Sequence, residues 1–536
     1  MKRFMLLCAV LLALFWGAGA QAQTPERPTS QEAAMEQLQK LTRFYRYLHG
    51  LYVEAVDMSP LVEEAIRAML LELDPHSAYL DREAMEAEKV SMEGQFSGIG
   101  IEFRVVMDTI RVQHVLGGGA AERAGLRAGD RILRIDTLAA VGLKQHEVPK
   151  YLRGDQGSKV ELEVMRPMYG DLLLFTLVRD RVPLHTVSAA YRLDDGTGYI
   201  KIDRFGRTTS QEVEAALEAL GHVERLILDL QGNPGGLLQQ AIRVGEQFLP
   251  AGSLIVSTEG RAVAEQTHGA SHRGLYRKGE LVLLVDEQSA SAAEIVAGAV
   301  QDWDRGLIVG RPTFGKGLVQ RQIGLGDGSA VRITIARYHT PSGRVIQRPY
   351  APGEREAYYA AHLKRRLSGG VDTLPDSLPR YRTLRLGREV VGGGGIRPDV
   401  VIEADTSGYS PYYGELIRRN LLNDFVLSHV DRNRAELLAR YPAYDQFNPT
   451  HEESESLFEA LKSHAAEQGL VYTPEAERSR EWINLQLRVA LATALYGSQV
   501  RIRAWNDARG NRALNRAREL LAARELPAEL SFFRDK

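Results

Sequence analysis

LVLLVDEQSASAAEIVAGAVQDW, residues 281–303, reads as an apolar strand, a short turn and a helix with a small-residue apolar face. The same rhythm continues on both sides. TGYIKIDRF, ERLILDL, ELVLLVDE and RGLIVG read as strands. QEVEAALEALG and LLQQAIRVGEQFL read as helices, so strand and helix alternate from Thr186 to about Arg348. Alternation of this kind predicts a layered α/β core. SAVRITIARYHTPSGRVIQ adds strands, a polar arm fills 351–390, and VVGGGGIRPDVVIEAD returns as a glycine-rich loop and a strand.

Ser289 and Ser291 sit where the strand meets the helix. A serine there often does no more than cap the helix, and Asp286, Ser289 or Ser291 could each fill that role. The same geometry suits a nucleophile. A hydroxyl at a strand-to-helix turn stands at the end of the sheet, and the next backbone N–H and the helix dipole favour an oxyanion there. Such a serine needs a base. No histidine flanks this stretch, and His185 and His268 lie in unremarkable settings. Lys316 comes 25 residues later, after one helix and one strand, the chain length that returns to the neighbouring strand end. A lysine shielded by apolar groups can lose its proton near neutral pH, and Ser–Lys is a known variant of the triad logic.

Lys316 lies in GRPTFGKG (310–317), whose first seven residues fit the G-x-x-x-x-G-K opening of a phosphate loop. Gly317 stands where a magnesium-holding Ser or Thr belongs, and LVQRQIGLG after it alternates like a strand instead of opening a helix. The nucleotide reading fails. Upstream, LILDLQGNPGG (226–236) is a strand ending in a Gly-Gly turn. Such a turn brings bare backbone N–H groups close to a substrate, and with the Ala292 amide it would complete an oxyanion hole. By itself NPGG is a common turn. Asp229 reads as an anchor for that turn.

The chain has 536 residues, 44% hydrophobic and 25% charged, enough apolar material for more than one core. A formal charge of −2 excludes a strongly basic surface for nucleic acid or anionic lipid. Lys2 and Arg3, the apolar MLLCAVLLALFWGAGA and Ala20-Gln21-Ala22 predict a cleaved signal peptide over 1–22 and a periplasmic protein, with a retained membrane anchor as the alternative. The single cysteine, Cys8, falls inside that segment, so the mature chain would have no disulfide, thiol nucleophile or thiolate metal site. His268 and His272 have H-x-x-x-H spacing in a loop-like stretch without the acidic ligand a zinc site would want, so they read as solvent-exposed histidines. Residues 23–95 read as mainly helical. From about 410 to the C-terminus the chain reads as charged helices, a solvated scaffold or a self-association surface.

Taken together, DLQGNPGG, SASAAEI and VGRPTFGKGLVQ, in this order and spacing, resemble the carboxyl-terminal processing (tail-specific) proteases. ARYHTPSGRVIQRP, GGGGIRPDVVIEAD and LDPHSAYLDREAMEAEKVSMEGQFSGIGIEF are similar to that family as well, so the likeness covers roughly residues 40–405. The resemblance implies a multidomain α/β (α+β) protein. Its core would be a crotonase/ClpP-like β–α layered protease over 184–405 with an arm inserted at 351–390. Helical segments would flank it, at 23–95 and 406–536. It also implies Ser291 as nucleophile, Lys316 as general base, Gln320 as the residue orienting the lysine, and Ala292, Gly235 and Gly236 as oxyanion-hole donors. No metal or cofactor is expected from the mechanism that the resemblance implies. Gln231 departs from the family, which usually has Arg there.

Residues 96–183 resemble a PDZ domain. Gly98-Ile99-Gly100-Ile101 fits its carboxylate-binding loop, AERAGLRAGDRILRID follows as helix, turn and strand, and the adjoining strand offers an edge to an extended peptide. The implied partners are proteins with apolar C-termini and an adaptor or activating lipoprotein, with homo-oligomers and, at most, peripheral membrane contact. Two competing expectations are a non-catalytic PDZ adaptor on a protease-like fold and an acyl-CoA enzyme. The second leaves the PDZ-like module and the signal without a role.

Overall fold

The computed structural model describes residues 31–106, 108–166, 172–271, 274–367 and 377–523. The expected signal segment, Cys8 and His272 lie outside them. The chain forms two compact units, residues 1–69 and 70–536. In the first, α1 (Gln31–Leu51) buries none of its residues, and α2 (Met58–Leu71) begins after a short turn.

The second unit opens with β1 (Ala78–Leu80) and α3 (Arg82–Glu93). Asp81 caps α3 by accepting the Ala84 N–H at 2.8 Å. Next come β2 (Gln95–Gly98), β3 (Ile101–Val106), β4 (Thr109–Val115), α4 (Ala120–Ala124), β5 (Arg131–Ile135), β6 (Leu138–Ala139), α5 (Val148–Leu152), β7 (Lys159–Met165), β8 (Leu172–Val178) and β9 (Asp180–Pro183). β2 and β9 pair as the stem of this module, and β3-β4-β5-β7-β8 form an antiparallel sheet with β6 on β5. β7 shows why: Val160, Leu162 and Val164 are buried while Lys159 and Glu161 are exposed, the period of two of a half-covered strand.

The core follows as β10 (Val187–Arg192), β11 (Gly198–Ile202), α6 (Thr209–Leu220), β12 (Arg225–Asp229), α7 (Leu238–Glu246), β13 (Leu254–Gly260), β14 (Val263–Gly269), β15 (Glu280–Val285), α8 (Ala292–Asp302), β16 (Leu307–Gly310), β17 (Leu318–Gly324) and β18 (Ala330–His339). The inserted arm carries α9 (Arg355–Leu367), β19 (Arg380–Arg382) and β20 (Glu389–Val391), and β21 (Val400–Val401) closes the core. One sheet has the order β10-β11-β12-β15-β16-β21, parallel from β11 onward with β10 antiparallel at the edge. The second joins β1-β18-β13-β14, with β17 on β18. His268, expected in a loop, lies in β14.

Register places the site. Asp229 pairs with Leu284 and Val285 with Gly310, so β12, β15 and β16 end at one level and the turns that follow them converge. Their central residues, Leu226–Leu228, Leu281–Val285 and Leu307–Val309, are apolar and buried because both faces are covered. Residues of α6, α7 and α8 pack on one face.

The other face is covered from far along the chain. Helices α10 (Pro411–Arg418), α11 (Leu421–Arg440), α12 (His451–Glu467), α13 (Arg480–Tyr496) and α14 (Arg501–Asp507) surround a core of their own. Helix α15 (Arg512–Ala522) leaves that group. It sets Ala513, Leu514, Ala517, Leu520 and Leu521 against Ile227, Val282, Leu284, Leu307 and Val309. The expectation of a purely solvated scaffold or self-association surface is therefore corrected for α15: its apolar stripe is used up on the sheet.

Candidate active site

The strand into Ser291 ends in a turn built on Asp286, whose Oδ1 accepts the N–H groups of Gly232 (2.9 Å), Gln288 (3.0 Å) and Ser289 (3.1 Å). Ser289 is fully buried, accepts the Asp286 N–H and donates to the Leu230 carbonyl at 2.8 Å, so its hydroxyl is committed to the turn. Ser291 follows with φ 53° and ψ −112°, and α8 begins at the next residue. A non-glycine backbone there costs on the order of 1–3 kcal/mol and persists only where its surroundings hold it.

Glu294 is what holds it. Fully buried, it accepts the Ser291 N–H (2.8 Å) and Lys316 N–H (2.9 Å) on Oε2, and Thr313 Oγ1–H (2.5 Å) and the Gly315 N–H (2.7 Å) on Oε1. Burial raises its carboxyl, and these donors pull it back toward ionisation. Tyr338 Oη lies 2.6 Å from the Lys316 carbonyl oxygen and 3.3 Å from that of Ser291. One carboxylate and one phenol thus grip the backbones of both residues, and the Phe314 N–H donates to the Ser289 carbonyl at 2.9 Å. The glycines of 310–317 form a turn into β17, with no helix for a phosphate.

Burial pushes the Lys316 ammonium down to about 8, helped by the Arg332 charge and opposed by Glu294, Asp74 and Glu88. Nearby, burial and then the Lys316 charge push buried His76 down to about 3, so it is neutral. Phe314 and two rings of the inserted arm, Tyr358 and Tyr359, pack around it with centroids 5.4–6.4 Å away. Gln320 sits on β17 opposite Thr334; among the described residues its buried Nε2 has no hydrogen-bond partner, and no bond joins it to Lys316.

Gly235 (φ 95°) lies against the nucleophile candidate. A Cβ on it would stand 2.6 Å from the Ala290 oxygen, 2.8 Å from Ser291 Cβ and 2.9 Å from Ala292 N, so only glycine permits this approach. Its own N–H, however, donates to Asn233 Oδ1 at 2.8 Å. This corrects the expectation of three donors. Among the described residues the N–H groups of Gly236 and Ala292 meet no acceptor, and Gly235 contributes space. The Asn233 backbone carbonyl accepts the Ala290 N–H at 2.9 Å, locking the glycine turn to the serine turn.

In the smaller module Gly98 ends β2, Ile99 and Gly100 form the turn (φ 82° at Gly100), and Ile101 starts β3. The N–H groups of Ile99 and Gly100 meet no acceptor among the described residues. β3 is a sheet edge. Gln145 spans it, accepting the Val105 N–H (2.8 Å) and donating to the Phe103 carbonyl (3.2 Å), the groups an added strand would take. Among the described residues no cluster of His, Cys, Asp or Glu is placed to hold a metal ion.

Sequence reasoning overlooked Glu294, Asn233 and Tyr338. Only Glu294 had a signal: S-A-A-E at 291–294 fits the S-x-x-E capping box.

The chain matches the family models for peptidase family S41 over residues 196–352 and the PDZ domain over 97–176. It also matches the activating protease CtpB N-terminal domain over 14–84 and a family of unknown function over 412–497. It is 36% identical to the carboxy-terminal-processing protease of Bartonella bacilliformis, over 59% of this chain and 74% of that one. It is 31% identical to the carboxy-terminal processing protease CtpB of Bacillus subtilis, over 65% and 76%. Among solved structures it is similar to a photosystem II D1 C-terminal processing protease, 28% identical over 67% of this chain and 86% of that one, with a TM-score of 0.35. A mixed α/β S41 core, a PDZ domain and helical terminal segments define a serine-type peptidase. The chain belongs to the carboxy-terminal-processing protease family.

Proposed function

We propose that this peptidase is exported to the periplasm and cleaves proteins presented by apolar C-terminal tails, with Ser291 as nucleophile and Lys316 as general base. The observation that carries the reading is the shared grip of Glu294 and Tyr338 on both residues, beside a lysine whose burial favours the neutral amine. Neutral Lys316 takes the Ser291 proton as Oγ bonds to the peptide carbonyl carbon. The oxyanion rests on the N–H groups of Ala292 and Gly236. Collapse breaks the C–N bond, and the Lys316 ammonium gives its proton to the leaving amine. Water, deprotonated by Lys316, then hydrolyses the acyl ester and Ser291 regains its proton. The family resemblance assigns Gln320 to orient the lysine, although no hydrogen bond joins the two in this structure. Gly98, Ile99, Gly100 and Ile101 take the tail carboxylate, and β3 takes the tail as an added strand once Gln145 leaves its edge.

The domain plan follows: signal 1–22, helical segment 23–95, PDZ domain 96–183, protease core 184–405, helical extension 406–536. The match to an N-terminal domain of an activating protease supports activator partners and protein substrates. The terminal helical segments, α15 excepted, are the proposed surface for self-association.

The test uses the chain from residue 23 and peptides ending in apolar residues, as free acids and as amides. The free acid is cleaved faster than the amide. Ser291→Ala and Lys316→Ala each lower kcat by about a thousand-fold or more, with tail binding kept in Ser291→Ala. Full cleavage by Ser291→Ala would sink the assignment. A wild type that binds tails and cleaves nothing would leave an adaptor.

A further inference from the structure

The turn that presents Gly235 to Ser291 starts at Gln231, and Gln231 is held by the far end of the chain. Asn511, 280 residues later, donates from Nδ2 to Gln231 Oε1 at 2.9 Å and reaches Asp229 Oδ2 at 3.4 Å. The other end of the same side chain, Oδ1, accepts the Leu514 N–H at 3.1 Å and caps α15. One amide therefore ties a helix that lies on the sheet to the loop beside the candidate nucleophile.

The rest of that loop is closed. Asp229 Oδ1 accepts the Gln231 N–H (2.8 Å), Tyr199 donates to Asp229 Oδ2 (2.6 Å), and Lys201 donates to the Gln231 carbonyl and stands 3.5 Å from Asp229. Lys201 already supplies a cation to Asp229, so position 231 needs no charge; a neutral amide that accepts from Asn511 completes the set. Without the Asn511 donor, Gln231 Oε1 is left half-buried and unpaired, and the loop loses its tether on the α15 side.

We propose that Asn511 is a positioning residue for the oxyanion turn, so that the C-terminal extension is part of the peptidase site. α15 seats on the sheet through its leucines, and Asn511 converts that seating into the position of Gln231–Gly236. The inference rests on the reading of Gly236 and Ala292 as oxyanion donors.

The experiment uses the chain from residue 23. Asn511→Ser keeps an N-cap acceptor for α15 and removes the amide that reaches Gln231. Asn511→Asp also keeps the cap and turns an acceptor toward Asp229. Expected for Asn511→Ser is a kcat lower by about ten-fold with KM within two-fold, and a matching loss of affinity for a peptidyl boronate that forms a tetrahedral adduct on serine. Asn511→Asp falls further, and Asn511→Gln, which can still donate, recovers part of the activity. Independently of catalysis, amide hydrogen exchange of residues 231–236 speeds up in Asn511→Ser while that of 513–521 is unchanged. Unchanged exchange in that turn overturns the proposal, as does a kcat that falls only in step with melting temperature. A wild type inert on every peptide counts against the proposed function, and the exchange measurement still decides this one.

Discussion

Lys316 can accept a proton only as the neutral amine, and its ammonium is pushed down to about 8. In the proposed mechanism the base is blocked below that pH and free above it. kcat/KM should therefore rise with pH and reach half its plateau near pH 8. Arg332 opposes the ammonium and holds Glu88, which favours it, at 2.8 Å. Arg332→Gln removes the first influence and releases the second. Both changes favour the protonated lysine, so the midpoint should move to higher pH. A pH–rate profile measures this directly, and a midpoint that stays or falls speaks against Lys316 as the base.

Between elements, β4 meets α11 through Arg111 and Asp424, 2.5 Å apart with side chains 11% and 10% exposed. Burial lowers the arginine and raises the aspartate despite the contact, so desolvation outweighs pairing for both. Such a pair sets orientation more than it stabilises. Arg104 adds a hydrogen bond to Asn420 Oδ1 at 3.1 Å on the same side. Arg111→Ala strands a buried carboxylate and should cost about 3–5 kcal/mol of docking. Replacing both partners, Arg111→Met with Asp424→Leu, should be near neutral. Urea denaturation and limited proteolysis of the PDZ domain test this; equal losses in the single and double variants would contradict it.

For the molecule as a whole, the sheet at the core has two coats, one local and one distant. Local helices α6, α7 and α8 cover one face and α15 the other. Burying Leu514, Leu520 and Leu521 contributes about 1.5–3 kcal/mol each, a large share of the 5–15 kcal/mol that holds a domain together. Truncation after Asp405 uncovers Ile227, Val282, Leu284, Leu307 and Val309. The shortened chain should be largely insoluble, or soluble with strong binding of a hydrophobic dye. A soluble, cooperatively folding 23–405 fragment without dye binding would refute this account of α15.

Local order was legible in the amino-acid sequence because its causes are local. Short runs rich in Ile, Leu, Val and Tyr marked β11, β12, β15 and β16, and 3.6-residue spacing marked the helices between them. Glycines marked the turns at 235–236 and 310–317, and the strand-like run after Lys316 removed the phosphate loop. What the tertiary structure alone decided are contacts between residues far apart in the chain. They include Glu294 gripping the lysine turn, the Asn233 carbonyl taking the Ala290 N–H, and Asn511 reaching Gln231. No periodicity encodes a buried carboxylate with four donors or an asparagine that meets a loop 280 residues upstream. Such partners are chosen when the sheet brings its strand ends level and α15 closes the open face, because only then is each buried polar group forced to find the neighbour it has.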